Sequence, residues 1–243
     1  MEDFSPISRL EIIINKIKEQ NPAQSVKVVL SHSFEVSRSS SSELYDHVFE
    51  YLRLVDIVES TFKALIPDFD NNEIYQRAFC SLKKVAFFVE SQKPFKDLRL
   101  IDDSVVMLLG VGKNYYRDFN SRIESKVDGD CFEELRDSLE GFFNSLLSSS
   151  LPRPLRLRLM TDVINMKKAM LFYLYRGADG VEETMSSLSG RMLLNKKDMA
   201  QHDDGSVRES FKSVYDKYFS FVTKANASYQ FIENIGNYFL GDK

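Results

Sequence analysis

The sequence predicts an all-α fold, and three observations carry that expectation. Apolar residues recur at three-and-four spacing through most of the chain, the mark of one buried helical face. Pro and Gly are scarce, six and ten in 243 residues, and they fall mostly between the periodic segments. Strand alternation is weak: Val26-Lys27-Val28-Val29 is the best strand candidate, and it is short and isolated.

Nine helical segments follow in order. The first runs from about Pro6 to Gln20, with Ile7, Leu10, Ile13, Ile14 and Ile17 on one face. Asn21-Pro22 stops it and opens a second, to about Val36, because proline suits a first helical turn. The run Ser37-Arg38-Ser39-Ser40-Ser41-Ser42 reads as a loop, with Ser42 placed to cap a third segment from Glu43 to Leu65. Pro67-Asp68 ends that segment, and a fourth runs from Asn71 to Ser91, before Lys93-Pro94. A fifth covers Leu98 to Lys126, and Asp128-Gly129-Asp130 is a turn. The sixth runs from Cys131 to Leu147, and the seventh from Pro154 to Tyr175, ending near Gly177. The eighth covers Val181 to Asn195. The polar stretch from Lys196 to Ser206 reads as an exposed inserted loop, and the ninth runs from Val207 to Leu240 with a break near Ala225. Long helices with short connectors imply antiparallel neighbours in one domain spanning residues 1–243.

Composition narrows the function classes. Lys plus Arg number 32 and Asp plus Glu 36, a net charge of −4, which argues against a general nucleic-acid binder. The two cysteines, Cys80 and Cys131, form no CxxC, so neither a zinc site nor a disulfide framework is expected. The opening residues do not read as a signal peptide, and no run approaches eighteen uncharged apolar residues. A soluble cytoplasmic protein is the resulting expectation.

Catalytic patterns are mostly absent. His32, His47 and His202 belong to no HExxH or ExxH pair, and no GxSxG occurs. Gly110-Val111-Gly112-Lys113 has the look of a phosphate-loop tail, but it lacks the upstream glycine, the following Ser or Thr and a preceding strand. Its glycines are expected to permit close helix packing. Adjacent acidic pairs such as Glu133-Glu134 do not share a helical face. An enzyme is therefore the weaker class, and no cofactor or metal is expected.

Two stretches are specific together. One runs from Ser104 through Gly110-Val111-Gly112-Lys113-Asn114-Tyr115-Tyr116-Arg117. The other is Arg153-Pro154-Leu155-Arg156-Leu157-Arg158-Leu159-Met160-Thr161-Asp162. They resemble the fifth and seventh helices of the 14-3-3 family, and 37 residues separate Arg117 from Pro154, within one residue of the family spacing. Arg53-Leu54-Val55-Asp56-Ile57-Val58-Glu59 is similar to part of that family's third helix. The resemblance covers roughly residues 44–174.

The resemblance implies a nine-helix array with a concave amphipathic groove. It implies a non-enzymatic adaptor that binds phosphoserine or phosphothreonine peptides of client proteins, and a homo- or heterodimer joined through the N-terminal helices. A phosphate offers nearly two negative charges and three acceptor oxygens, which rigid guanidinium forks match. By this resemblance Arg117 matches the fifth-helix phosphate arginine, Arg53 a further arginine and Asp162 the seventh-helix asparagine. Asn237 stands for a second peptide-gripping asparagine. The chain departs from the pattern at Ser42 and Phe49, where a basic pair belongs, and at Asp118, where a tyrosine belongs. Arg158 replaces a glycine one turn before Asp162, placed either to pair with it or to supply charge to the groove. If the pocket has lost phosphate selection, a scaffold that binds partners independently of phosphate is the alternative. The apolar Ile12-Ile13-Ile14 cluster faces either a partner subunit or the core.

Overall fold

The first helix begins at Pro6 as the sequence predicts, with Ser5 as its cap. In helix α1 (Pro6–Lys18) the Ser5 hydroxyl accepts from the Ser8 N–H at 3.3 Å, and Pro6 sits in the first turn, where no intrahelical donor is needed. The structure is a computed structural model that describes residues 4–225, apart from Arg38, Asp68, Arg99, Asp102, 120–123, Ser125 and 202–204. The side chains of 117–119, 192–201 and Ser206 lie outside the description. Ten α-helices and one 3-10 turn, with no strand, make up the described residues. Their contacts divide into two compact units, one spanning Phe4–Ser121 and the other built on the helices after Arg122.

The first unit holds six helices. Helix α2 (Val26–Ser33) ends in a Schellman motif: the Val36 N–H donates to the Ser31 carbonyl at 2.9 Å and the Glu35 N–H to the His32 carbonyl at 3.2 Å. This places Glu35 at φ 59°, a position glycine usually takes. Helix α3 (Ser41–Leu65) buries Leu44, Val48, Tyr51, Val55, Val58 and Phe62 along one stripe. A 3-10 turn (Phe69–Asn71) leads to helix α4 (Glu73–Phe87), whose Asn72 cap accepts from the Ile74 N–H at 3.0 Å. A single turn, α5 (Phe95–Leu98), is tied to the chain before α2, because the Phe95 N–H donates to the Gln24 carbonyl at 2.8 Å. Helix α6 (Asp103–Phe119) packs on α1, α3 and α4. There Gly112 lies so close to the Phe62 ring that a Cβ would overlap it, whereas Gly110 has open space beside it. Ile13 and Ile14 are buried in this core, where α1 packs on α2, α3 and α6.

The second unit is a ring of four helices, each packed on two neighbours: α7 (Gly129–Ser148), α8 (Arg153–Leu171), α9 (Tyr173–Gln201) and α10 (Gly205–Ala225). The Asp128 carboxylate caps α7 by accepting from the Cys131 N–H at 2.8 Å. Leu135, Leu139, Phe142 and Leu146 give α7 a buried four-three-four stripe. From α10, the predicted core residues Phe211, Tyr215, Tyr218 and Phe221 are all buried, and the Tyr218 hydroxyl donates to the Val181 carbonyl at 3.3 Å. Phe219, on the flank of that stripe, is half-buried.

Several expectations need correction. The Val26–Val29 stretch is helical, as the second segment to about Val36 expected, but α2 starts at Val26 rather than at Pro22. The N-cap of α3 is Ser40, not Ser42. The segment expected from Leu98 begins at Asp103 as α6, and the turn α5, in the connector ahead of it, makes ten helices among the described residues rather than nine. Helix α8 stops at Leu171 and not at Gly177; Gly177, at φ 62°, instead breaks the start of α9. The residues 196–201, expected as part of an inserted loop, continue α9 as helix. Lys, Met, Ala and Gln are good helix formers, so polarity alone did not make a loop. The part of the last segment beyond Ala225 lies outside the described residues.

Candidate functional site

In the first unit, the stripe of α3 that packs inward leaves the opposite stripe bare. Phe49, Leu52, Arg53, Asp56, Ile57, Ser60, Thr61 and Ala64 line an open depression of about 750 Å³ along that outer face. Phe49 is 67% exposed and Ile57 39%, large apolar side chains for a solvent-facing position. Asp56 is held by Lys83 of α4 at 2.7 Å, and the same ammonium meets Glu59 at 2.6 Å. The hydrogen bonds that the ammonium donates to these two carboxylates raise the Lys83 pKa. Arg53, by contrast, makes no ion pair among the described residues. The face is thus a mostly apolar surface with the Arg53 guanidinium near its middle and the Lys83-bound Asp56 beside it.

The remaining expected site residues fall as follows. Arg117 lies in the last turns of α6, and its side chain and that of Asp118 are outside the described residues. Asn237 lies outside them as well. Ser42 is exposed at the start of α3. In the second unit Arg158 is exposed on α8, on a surface that also carries exposed Leu157, Ile164 and Leu171. Asp162, one turn after Arg158, is only 6% exposed. Its Oδ1 lies 2.6 Å from Nε of Arg191, which reaches it from α9 and also donates from Nη1 to the Ser187 hydroxyl at 2.8 Å. Burial raises the Asp162 pKa, and the adjacent Arg191 charge opposes the rise. Sequence reasoning missed Arg191 as its partner, because the pair joins two helices and follows no local spacing.

Other chemistry-bearing groups have structural roles. His47 is buried against Phe34, ring centroids 5.8 Å apart, and burial lowers its pKa. His32 is exposed, and His202 is outside the described residues. Lys113, at the end of the glycine pair, is bound to Glu11 of α1 at 2.7 Å, so the Gly110–Lys113 turn sits mid-helix and cradles no anion. Among the described residues no three His, Cys, Asp or Glu side chains cluster to hold a metal ion, and no helix is long and apolar enough to cross a membrane. No protein-family model, no curated protein and no solved structure matches the chain.

Proposed function

We propose that this protein is a non-enzymatic adaptor, a divergent relative of the 14-3-3 proteins, that docks a segment of a partner protein in a groove walled by the outer face of α3. The observation that carries the reading is Arg53: an arginine without an ion pair among the described residues, set between the exposed Phe49 and Ile57 on a mostly apolar surface that also carries Asp56. Its occupant is an extended peptide with a phosphorylated side chain flanked by apolar residues. The guanidinium takes the phosphate through paired N–H donors, and the apolar neighbours bury against Phe49, Leu52 and Ile57. The paired sequence motifs and the all-helical architecture support the 14-3-3 comparison, with Arg117 as the further basic group that the sequence nominates in the same unit.

One observation favours a second reading, docking without phosphate. Arg53 is a single cation with Asp56 on its own face, and Asp162 is already held by Arg191. Fluorescence polarisation with a phosphoserine peptide and its unphosphorylated twin separates the two. The adaptor reading expects binding of the phosphopeptide that is at least tenfold tighter, and loss of that difference in Arg53→Ala. Equal binding of the twins, undiminished by Arg53→Ala, moves the function to phosphate-independent scaffolding.

A further inference from the structure

The outer face of α3 has an internal symmetry that the peptide reading does not use. Phe49, Arg53, Asp56 and Ser60 are spaced four, three and four, so they form one seam along the helix. That spacing reads the same from either end, about a point midway between Leu54 and Val55. Reversing the direction pairs Phe49 with Ser60 and Arg53 with Asp56. Continued outward, it pairs Tyr45 with Ala64 and Asp46 with Lys63. All eight of these side chains are exposed on α3. The charges run minus, plus, minus, plus along the seam, at Asp46, Arg53, Asp56 and Lys63. A charge order that inverts about its own midpoint is complementary to an antiparallel copy of itself. Sizes match too, since each aromatic ring meets a Ser or an Ala.

We infer that α3 pairs antiparallel with α3 of a second copy of this chain, about a two-fold axis through the middle of the seam. Such an isologous contact uses one patch on both subunits. The Arg53 guanidinium meets the partner's Asp56, and Asp56 meets the partner's Arg53. Asp56 keeps its bond to Lys83, because one carboxylate oxygen is engaged there and the other is open to accept. Phe49 is covered by the partner's Ser60, while Leu52 and Ile57 close the two flanks of the seam. A parallel pairing in register instead sets each charge against its like. The consequence for the peptide site rests on the function proposed above. Self-pairing covers the same face, so peptide and second copy compete for it, and free sites increase on dilution.

The test is mass in solution. Sedimentation equilibrium of the full chain between about 1 and 100 µM is expected to show a monomer–dimer equilibrium. Arg53→Asp alone leaves two carboxylates facing two carboxylates, and Asp56→Arg alone leaves arginines facing arginines. Each is expected to be monomeric over that range, with circular dichroism confirming the fold. Mixed in equal amounts, the two variants present opposite charges at every contact, and a heterodimer is expected. Should Asp56→Arg fail to fold, Asp46→Lys and Lys63→Asp, mixed in the same way, pose the same question without touching the Asp56–Lys83 bond. A wild-type chain monomeric at 100 µM overturns the inference. So do single variants that dimerise as wild type does, or a mixture that stays monomeric. No peptide enters the measurement, so its failure leaves the peptide reading to be judged by polarisation alone.

Discussion

Gly110 and Gly112 stand two residues apart in one helix, yet alanine is expected to act in opposite directions at the two positions. In a helix interior, glycine is about 1 kcal/mol less favourable than alanine because it loses more backbone freedom on folding. At Gly110 a Cβ has open space, so Gly110→Ala is expected to stabilise by up to that amount. At Gly112 the new methyl overlaps the Phe62 ring. That ring is buried and has Phe79 and Phe69 against it, at centroid distances of 5.3 and 6.4 Å, so it has no room to retreat. Overpacking of this kind costs about 1–3 kcal/mol, which cancels or exceeds the helix gain. The two variants are thus expected to differ by about 1–3 kcal/mol, roughly a 1 M separation of urea midpoints at ordinary slopes. Urea unfolding followed by circular dichroism at 222 nm reads the midpoints. The double variant Gly112→Ala with Phe62→Leu should be less destabilised than the sum of its parts, because the smaller side chain makes room for the methyl. If Gly112→Ala raises the midpoint as Gly110→Ala does, Phe62 does not pack on this glycine and the account of how α6 meets α3 fails.

Two further expectations follow from local geometry. Glu35→Gly relieves a left-handed backbone conformation that costs a non-glycine residue about 1–2 kcal/mol, and loses an exposed 2.7 Å pair with Lys16 that contributes at most about 1 kcal/mol. A higher urea midpoint is expected, and a lower one would show that the pair outweighs the strain. For Asp162, a folded-state pKa above the unfolded value means that the native state holds the proton more tightly. Its contribution to stability is complete below the unfolded pKa of about 4 and is lost as pH rises through the raised folded value. Asp162→Asn removes that loss, so stability relative to wild type should be more favourable to the variant at pH 7 than at pH 4. The opposite trend in paired urea melts would mean that Arg191 outweighs burial.

Much of the helical plan was legible in the sequence where a start or stop has a chemical cause. Ser5-Pro6, Asn72 and Asp128 mark helix starts through groups that satisfy free N–H donors, and each caps or opens a helix in the structure. Where the plan failed, the cause was not local. Helix α8 ends at Leu171 without glycine or proline, so nothing in the sequence signalled it. The site divides in the same way. The outer face of α3 can be read from the spacing of Phe49, Arg53, Asp56 and Ser60, because a single helix carries all of it. The Asp162–Arg191 pair cannot, because it depends on how α8 and α9 pack.

That division bears on which ligand the α3 face selects. Phosphate recognition gains most from several guanidinium donors converging on three oxygens, and a neighbouring carboxylate works against it. The α3 face contributes one guanidinium and, three residues on, one carboxylate. An occupant with a cation and an anion in the matching order satisfies both, whereas a phosphate satisfies only the first. For the phosphopeptide reading to hold, further basic side chains must come from outside α3, and within the same unit the sequence nominates Arg117. Salt separates the cases. Binding through one ion pair at an exposed face weakens only modestly as ionic strength rises, whereas a doubly charged phosphate held by several cations weakens steeply. A steep salt dependence that Arg53→Ala reduces but does not abolish would mark the convergent site. A shallow one that Arg53→Ala removes would assign the selectivity to α3 alone.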